Sequence, residues 1–503
     1  METENNSLLT RRKFLAASAL AGAGLVLAPR SLNATNAGVP SNRRSGEPIN
    51  IGIVGVGAQG DVLLTSLKGI AEAGQIPFRL KAVCDIWPYA LRASVRRQAA
   101  HATSGEGETA KNTSVHSYYS DVSGYGTIED MLEKQKDLDA VFVATPDHWH
   151  APNTIAALKA GKHVYCEKMM ARTVEEARAM VRTAKETGKL LQIGHQRRSN
   201  PNYRFFFNVL LKRFQFLGRV TNANGQWNRG VPQSQDINMS APLARQLKDD
   251  ILKRAGFLTE GKSRAAAIHE FRNWRWFKAY SNGPISDLGA HQIDIFNWVF
   301  GRPRSVIAAG GNDYYSTARD DKGVPYKPRE WYDNVMCIFD YDNIPGRPAG
   351  EVARAFYQVL TTTSNGGGYF ETFMGDRASF KISESAANIK AFPEAAGKEL
   401  FNFLVSQRLL TPGAPPPPAP SDGITDSRAS AAPEGFDMAS RLGQKYIHQF
   451  HIENFLQTIR GDPGVSLNCD GEHAFQSEAP IFRINEAVAS GQMIKFTEAD
   501  FAV

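Results

Sequence analysis

Two patterns of hydrophobic positions divide the chain near residue 200. In the first part, short apolar runs alternate with segments of helical periodicity. The runs are residues 49–54, 80–84, 139–144, 163–166 and 190–193. Strands that alternate with helices are typical of a parallel sheet covered by helices on both faces. We therefore predict a doubly wound α/β domain over residues 48–195.

The second part differs, because strand-like segments follow one another with few helices between them. These segments are residues 220–227, 305–309, 335–339, 351–359, 378–382 and 493–496. Helical periodicity appears near residue 285 and again at 445–460 and 472–490. The pattern predicts an α+β domain over residues 196–500 built on an antiparallel sheet. Within it, the Pro-, Ala- and Ser-rich residues 411–435 predict an irregular loop.

The N-terminal residues have the features of an export signal. Arg11 and Arg12 form a twin-arginine pair, and residues 14–28 are apolar and rich in alanine and glycine. This stretch is shorter than a bilayer-spanning helix needs, and no later segment reaches transmembrane length. We predict a twin-arginine signal peptide over residues 1–37, and hence a periplasmic or otherwise exported protein. An uncleaved anchor is the alternative.

Composition narrows the class of protein. The 503 residues are 42% hydrophobic, which is enough apolar material for one large or two medium cores. The net charge of +7 is modest and lies partly in the leader, so we expect no nucleic-acid partner. The four cysteines form no C-x-x-C pair, and the default interpretation is buried thiols.

A glycine motif follows the first apolar run. Gly55, Gly57 and Gly60 have the spacing G-x-G-x-x-G, with Ala58 and Gln59 between the last two. A helical pattern begins directly afterwards. In dinucleotide-binding folds, these glycines allow a tight turn, the approach of the pyrophosphate and the packing of helix on strand. An ordinary strand–helix turn is the alternative.

Polar side chains gather after the ends of the predicted strands, where ligands of doubly wound sheets bind. Asp85 ends the second run, 25 residues beyond Gly60. A carboxylate there would bind the ribose hydroxyls, which favours NAD over NADP. The other polar residues at strand ends are Asp147, His148, His150, Glu167, Lys168, His195, Arg197 and Arg198.

One predicted helix carries a second set of candidate groups. Asp287, His291 and Asp294 occur at i, i+4 and i+7, which places them on one helical face. A carboxylate one turn from an imidazole can orient its tautomer and raise its basicity. A capped helix with a structural histidine is the alternative. No H-E-x-x-H or comparable ligand set indicates a metal site.

Five motifs together resemble the Gfo/Idh/MocA oxidoreductases, the family of glucose–fructose oxidoreductase and inositol dehydrogenase. They are residues 55–60 (GVGAQG), 144–150 (ATPDHWH), 161–168 (GKHVYCEK), 194–198 (GHQRR) and 287–291 (DLGAH). Their order and spacing are far more specific than any single motif, and the resemblance covers most of residues 49–500. Two positions depart from the family pattern: Met169 stands where proline is usual, and Asp147 where asparagine is common.

The resemblance implies a Rossmann domain that binds NAD and an open-faced antiparallel sheet domain that often forms the subunit interface, so we expect a homo-oligomer. It places Lys168 at the hydride-transfer centre and gives substrate-handling roles to Asp287 and His291. The expected cofactor residues are Gly55, Gly57, Ala58, Gln59, Gly60, Asp85, Thr145, Pro146, His150, Glu167 and Arg197. Arg198, Arg275 and Asp294 complete the expected substrate residues.

We expect an exported NAD-dependent oxidoreductase that acts on a hydroxyl group of a sugar, glycoside or cyclitol. Lys168 and His291 would exchange the hydroxyl proton, and Asp287 would orient His291. A second hypothesis is redox-neutral glycoside cleavage by transient oxidation and elimination, which consumes no cofactor. A third is a sugar- and NAD-binding protein without catalysis. An exported enzyme would best bind its cofactor tightly before export.

Overall fold

The computed structural model describes most of the chain. The described residues are 46–103, 118–119, 121–234, 236–364, 368–385, 388–413 and 435–503. The predicted signal peptide, residues 1–37, lies outside them, as do residues 414–434 of the predicted loop. None of the described helices combines the length and the hydropathy that crossing a membrane requires.

The first sheet has six described strands, and every pair of neighbours is parallel. The strands are β1 (Ile49–Val54), β2 (Phe78–Cys84), β3 (Ser123–Tyr125), β4 (Ala140–Val143), β5 (His163–Cys166) and β6 (Leu191–Ile193). Their spatial order is β3-β2-β1-β4-β5-β6, as in dinucleotide-binding sheets. The predicted α/β domain is confirmed, and its ligand crevice lies where the strand order reverses, between β1 and β4.

Helices connect these strands and cover the sheet. They are α1 (Ala58–Ala73), α2 (Pro88–Thr103), α3 (Ile128–Lys134), α4 (His150–Lys159) and α5 (Val174–Thr187). Because helices pack on both faces, the strands are buried on both sides and consist of continuous apolar runs. Helix α5 begins with a capping box between Thr173 and Glu176, which fixes its start at Val174.

The second sheet has ten described strands in the order β14-β15-β13-β12-β11-β7-β10-β9-β8-β16. The strands are β7 (Val220–Asn228), β8 (Ser305–Gly311), β9 (Asn334–Tyr341), β10 (Ala353–Leu360), β11 (Tyr369–Gly375), β12 (Ala378–Ile382), β13 (Lys390–Pro393), β14 (Thr411–Pro412), β15 (Phe436–Asp437) and β16 (Ile494–Lys495). The sheet is mixed, because β10 pairs with β7 in parallel.

The parallel pair corrects the prediction of a wholly antiparallel sheet. Strands β8, β9 and β10 form an antiparallel meander, and its last strand lies beside β7. A long helical connection separates β7 from β8, so no hairpin fixes their relative direction. The predicted return of the chain's last strand is confirmed, since β16 pairs with β8.

Short helices form the connections of the second part. They are α6 (Pro201–Phe205), α7 (Val231–Ser234), α8 (Ala241–Ala244), α9 (Asp249–Arg254), α10 (Arg264–Asn273), α11 (Pro284–Asp287), α12 (Gly289–Phe300), α13 (Lys398–Ser406), α14 (Ile447–Arg460), α15 (Gly471–Phe482), α16 (Ile484–Ser490) and α17 (Glu498–Phe501). Helix α12 packs on the buried face of the second sheet, where the Phe296 and Phe373 ring centroids lie 6.0 Å apart.

The chain returns to the first domain near its end. In α14, Ile452 and Phe455 belong to the same hydrophobic core as β1. In α15, Phe475 packs into the core on the other side of the first sheet. The Ile193 N–H donates to the Cys469 carbonyl at 3.0 Å, which ties β6 to the segment between these helices. The first core therefore includes residues far outside 48–195.

Candidate active site

The glycine loop after β1 has the features of a phosphate cradle. Gly55 has φ +86°, and a Cβ there would lie 2.6 Å from the Ala144 carbonyl oxygen. A Cβ at Gly60 would overlap the Gly55 carbonyl oxygen, so this position holds α1 close to the turn. A Cβ at Gly57 would meet no atom within 4 Å. Because Gly57 opens to space at the start of α1, the loop fits a pyrophosphate approaching the helix N-terminus.

Asp85 lies at the end of β2, beside the glycine loop. Its Oδ2 accepts from the Val56 N–H at 2.9 Å, and its Oδ1 accepts from the Trp87 N–H at 2.8 Å. Burial raises the pKa of Asp85, and the two N–H donors oppose this effect. The carboxylate therefore holds the loop in place, while its binding of ribose hydroxyls stays a prediction.

His150 joins two segments that face the crevice. Its ring nitrogens lie 2.7 Å from the carbonyl oxygens of Thr145 and Met169. Burial lowers the pKa of His150 to about 4, so the ring is neutral at neutral pH. These two contacts hold the turn after β4 against Met169, the residue that follows Lys168. The Lys168–Met169 peptide bond is cis.

Lys168, Asp287 and Arg275 form a linked group. Lys168 Nζ lies 3.3 Å from Asp287 Oδ1 and also donates to the Asp287 backbone carbonyl oxygen. Arg275 Nε donates to Asp287 Oδ2 at 3.0 Å. Burial opposes ionisation of Asp287, but the charges of Arg275 and Lys168 outweigh it and lower the pKa of this carboxyl below its ordinary value.

His291 lies beside Trp227 rather than hydrogen-bonded to Asp287. The two ring centroids are 5.2 Å apart, and His291 Nδ1 is buried with no hydrogen-bond partner among the described residues. The expectation that Asp287 orients His291 is therefore wrong, because both carboxylate oxygens of Asp287 serve Lys168 and Arg275. Burial and the charge of Lys168 lower the pKa of His291 well below its ordinary value.

One cavity of about 450 Å³ contains these groups. Lys168, Asp287, His291, Arg275 and Trp227 all line it, so the predicted lysine and histidine share one space. Gln59 of the glycine loop also lines it. The cavity thus joins the end of the first sheet to the second domain, as a cofactor–substrate site requires.

A smaller cavity of about 50 Å³ lies beside the first and shares Lys168 and Asp287 with it. Its wall includes Thr145, Asp147 and His150. Burial is the main cause that raises the pKa of Asp147 to about 8, and the negative charge of Asp287 adds to it. The positive charge of Lys168 acts in the opposite direction. The carboxyl at the position where asparagine is common is therefore protonated over much of the neutral range.

Arg198 and Asp294 lie outside the residues that line either cavity. Arg198 Nε lies 2.9 Å from Asp294 Oδ1, and Ser477 Oγ donates to the same oxygen at 2.7 Å. The helix is interrupted at Leu288, and Asp294 lies about two turns further along it than Asp287. The pair therefore joins the segment after β6 to α12, Ser477 adds a contact from α15, and the structure does not bring the pair to the predicted substrate group.

Arg197 is also buried behind the cavity. It pairs with Glu371, and its NH2 lies 3.4 Å from Glu384 Oε2. Its guanidinium carbon lies 5.7 Å from the Trp227 ring centroid. Arg197 thus supports the aromatic wall beside His291. Among the described residues, its buried side chain has no open path to the cavity for the predicted contact with the cofactor. Glu167, by contrast, lines both cavities, next to Lys168.

The sequence reasoning missed several residues of the cavity wall. Trp227 and Arg229 come at the end of β7, and Arg272 and Trp276 come from the connection that contains α10. His448 at the start of α14 lies 3.3 Å from Gln59, measured between the two Nε2 atoms. The sequence signal for this wall is the aromatic cluster at 271–277, which fits a sugar wall and core packing equally well.

A doubly wound sheet with a glycine cradle, next to a cavity that holds a lysine and a histidine, is typical of two-domain dinucleotide-dependent oxidoreductases. Comparison with known families agrees. Residues 49–195 match the oxidoreductase family with an NAD-binding Rossmann fold, and residues 257–379 match the GFO/IDH/MocA C-terminal domain. These matches span more than half of the chain, which belongs to the Gfo/Idh/MocA oxidoreductase family.

Individual relatives are similar over part of their length. A levoglucosan dehydrogenase of Pseudarthrobacter phenanthrenivorans is 26% identical over 41% of this chain and 47% of its own length. A glycosyl hydrolase family 109 protein of Shewanella pealeana is 29% identical over 36% of this chain and 38% of its own length. The chain therefore spans less than half of these curated relatives. A solved levoglucosan dehydrogenase complex with NADH shares the fold, with TM-score 0.61, 17% identity, and coverage of 90% of this chain and 100% of that one.

Proposed function

We propose that the protein oxidises a hydroxyl group of a sugar, glycoside or cyclitol, with the reacting carbon held in the cavity between Lys168 and His291. Bound NAD supplies the hydride acceptor. The single observation that carries the proposal is the shared cavity, which is lined by Lys168, by the imidazole of His291 and by Gln59 of the glycine loop. The residues that fit the cofactor are the open Gly57, the N-terminus of α1 and Asp85.

The side chains divide the proton chemistry. The imidazole of His291 is neutral at neutral pH, because burial lowers its pKa, and it accepts the hydroxyl proton. Lys168 donates a hydrogen bond to the same substrate oxygen, and in the reverse direction the protonated His291 returns the proton. Asp287 and Arg275 hold Lys168 in position. Trp227 restricts the orientation of the His291 ring.

One experiment tests this function directly. Native mass spectrometry of the purified protein should reveal a bound dinucleotide. A screen of sugars, glycosides and cyclitols should then give a substrate that raises absorbance at 340 nm and yields a product lighter by two hydrogens. A sugar that binds but never changes this absorbance would indicate a binding protein without catalysis.

A second candidate is redox-neutral glycoside cleavage. Four glycosyl hydrolase family 109 proteins from Shewanella, 29–33% identical over 36% of this chain, support it. Elimination needs an acid for the departing oxygen, and Asp147, with its pKa raised to about 8 by burial, offers a protonated carboxyl in the adjoining cavity. Deuterium incorporation at the ring carbon, with cleavage and no accumulation of NADH, would favour this reaction over net oxidation.

We also propose export through the twin-arginine route, with the cofactor bound before export. The support is the Arg11–Arg12 pair and the apolar residues 14–28, which lie outside the described residues. Replacing both arginines by lysine should retain the protein in the cytoplasm at its full length. Mass spectrometry of the exported protein should find the first 34 to 37 residues removed; unchanged export of the lysine variant would contradict the proposal.

We further propose a homo-oligomer that uses the outer face of the second sheet. Ile307, Met336 and Ile338 are 40–43% exposed there, on the adjacent strands β8 and β9. Contiguous apolar side chains on a sheet face are typical of a subunit interface. Light scattering of the wild type and of Ile338→Lys should give a larger particle for the wild type only. A wild-type monomer would overturn the proposal.

A further inference from the structure

Two arginines on the cavity wall lack a carboxylate partner. Arg229 follows β7, Arg272 is the penultimate residue of α10, and both line the cavity of about 450 Å³. Neither forms an ion pair within the part of the chain that the structure describes. Among the described residues, both are therefore cations on the cavity wall with no carboxylate in direct ion-pair contact, although the charge of Arg229 is near enough to Asp287 to help lower the pKa of that carboxyl.

The carboxylates of the same wall are committed to other partners. Asp287 pairs with Lys168 and Arg275. Glu384 pairs with the buried Arg197 and accepts from Gln196 at 3.3 Å. The third, Glu167, accepts from the Tyr165 hydroxyl at 3.4 Å. Four cationic side chains and three carboxylates line the cavity, so positive charge is in excess there.

Aromatic rings hold these guanidinium groups in place. The Arg229 guanidinium carbon lies 5.5 Å from the Trp227 ring centroid, and that of Arg272 lies 5.7 Å from the Trp87 centroid. Burial lowers the pKa of Arg272, as expected for a cation that no adjacent anion compensates. A cation–π contact replaces only part of the lost hydration. An anion in the cavity would supply the missing partner.

We propose that this cavity binds a sugar bearing an anionic group, either a carboxylate or a phosphate, and that Arg229 and Arg272 bind that group. The planar guanidinium fork matches the oxygen geometry of both groups. Trp227 and Trp276 line the same cavity and add apolar surface against which a sugar ring could pack. The inference rests on the proposed function, because it assigns a substrate class to the same cavity.

The test compares matched charged and neutral sugars on the NAD-loaded protein. The probes are D-glucuronate, D-galacturonate and glucose 6-phosphate, each against D-glucose or D-galactose. Isothermal titration calorimetry gives the affinities, and absorbance at 340 nm follows oxidation. We expect a charged member of a pair to bind at least about tenfold more tightly than the neutral one. A preference for the uronates assigns a carboxylate, and a preference for the phosphate ester assigns a phosphate.

Variants then locate the binding. Arg229→Gln and Arg272→Gln should each weaken binding of the charged probe by about 10- to 100-fold, and leave affinity for the neutral sugar and for NADH nearly unchanged. Arg245→Gln, an exposed arginine outside the cavity lining, is the matched control and should change nothing. Equal loss of NADH affinity in Arg229→Gln or Arg272→Gln would overturn the proposal, because the arginines would then serve the cofactor.

Two further results would also overturn it: equal affinities for charged and neutral sugars, or charged sugars that do not bind. The proposed function fails separately. If no sugar changes the absorbance at 340 nm, the oxidation is refuted, while a calorimetric preference for charged sugars that depends on Arg229 and Arg272 still supports the anion subsite.

Discussion

Lys168 Nζ lies 3.3 Å from Asp287 Oδ1 and also donates to the backbone carbonyl oxygen of the same residue. The lysine comes from the end of β5 in the first domain, and Asp287 comes from α11 in the second part of the chain. Two contacts to one residue aim the ammonium group across the boundary between the sheets. The position of the ammonium group therefore depends on both domains.

Replacing Lys168 by methionine should lower kcat by about 10²–10⁴-fold, because the substrate oxygen loses its charged hydrogen-bond donor while the shape of the side chain is largely kept. Turnover is measured as NADH formation with a substrate of the wild type. Lys185→Met, on an exposed face of α5, is the control and should retain activity. Near wild-type turnover by Lys168→Met would remove the lysine from the mechanism.

The glycine loop allows a paired prediction. Gly57→Ala places a methyl group where no atom of the described residues lies within 4 Å, so the protein should fold normally. The methyl group would occupy the approach of the pyrophosphate, and NADH affinity should fall by about tenfold or more. Fluorescence titration with NADH and a melting curve measure the two effects.

Gly60→Ala should affect the stability of the fold rather than the approach of the pyrophosphate. Its Cβ would overlap the Gly55 carbonyl oxygen, so α1 must shift from the turn. We expect a loss of about 1–3 kcal/mol in the free energy of unfolding. If Gly57→Ala binds NADH as tightly as the wild type, the cradle does not face the phosphates.

Local sequence signals were sufficient for the first domain. The apolar runs and the G-x-G-x-x-G spacing each act within a few residues, and five of the six described strands of the first sheet lie at these runs. The lysine at the end of β5 was found for the same reason, since ligand sites lie beyond the carboxyl ends of parallel strands.

Long-range partners left no such signal. Arg198 and Asp294 are 96 residues apart in sequence, and Ser477 lies a further 183 residues along the chain. Helical spacing predicted that Asp294 lies on the same face as Asp287 and His291. The ion pair with the buried Arg198 instead directs its carboxylate away from them. The parallel pairing of β7 with β10 and the return of α14 to the first core likewise depend on segments distant in sequence.

The buried pair gives a prediction that separates structure from substrate binding. Asp294→Asn removes the counter-charge of Arg198, whose guanidinium is buried with it. We expect a loss of about 3–5 kcal/mol in the free energy of unfolding, because an unpaired buried cation is costly. KM of the folded variant should stay close to that of the wild type.

Denaturant unfolding and steady-state kinetics check both expectations. Asp342→Asn is the matched control, since its ion pair with Arg304 is exposed and should contribute less than about 1 kcal/mol. A normal melting curve together with a strongly raised KM for Asp294→Asn would restore the substrate role expected from the sequence.

Asp147 makes the stability of the protein depend on pH. Burial, together with the charge of Asp287, raises its pKa in the folded protein to about 8 from an ordinary value of 3.8. Between these values the unfolded chain has lost the proton and the folded protein keeps it. The contribution of Asp147 to stability is thus most favourable below about pH 4 and declines as pH rises towards 8, by at most about 1.4 kcal/mol for each pH unit.

Asp147→Asn removes this titration and keeps the size and hydrogen-bonding capacity of the side chain. The variant should gain stability relative to the wild type as pH rises from 4 to 8, and the gap should stop growing above about pH 8. Melting temperatures of both proteins across this range measure the gap. Glu399→Gln, at an exposed position of α13, should follow the wild type at every pH. A gap that is constant with pH, or that narrows as pH rises, would mean that the Asp147 carboxyl is already ionised in the folded protein and is unable to donate a proton in the cavity.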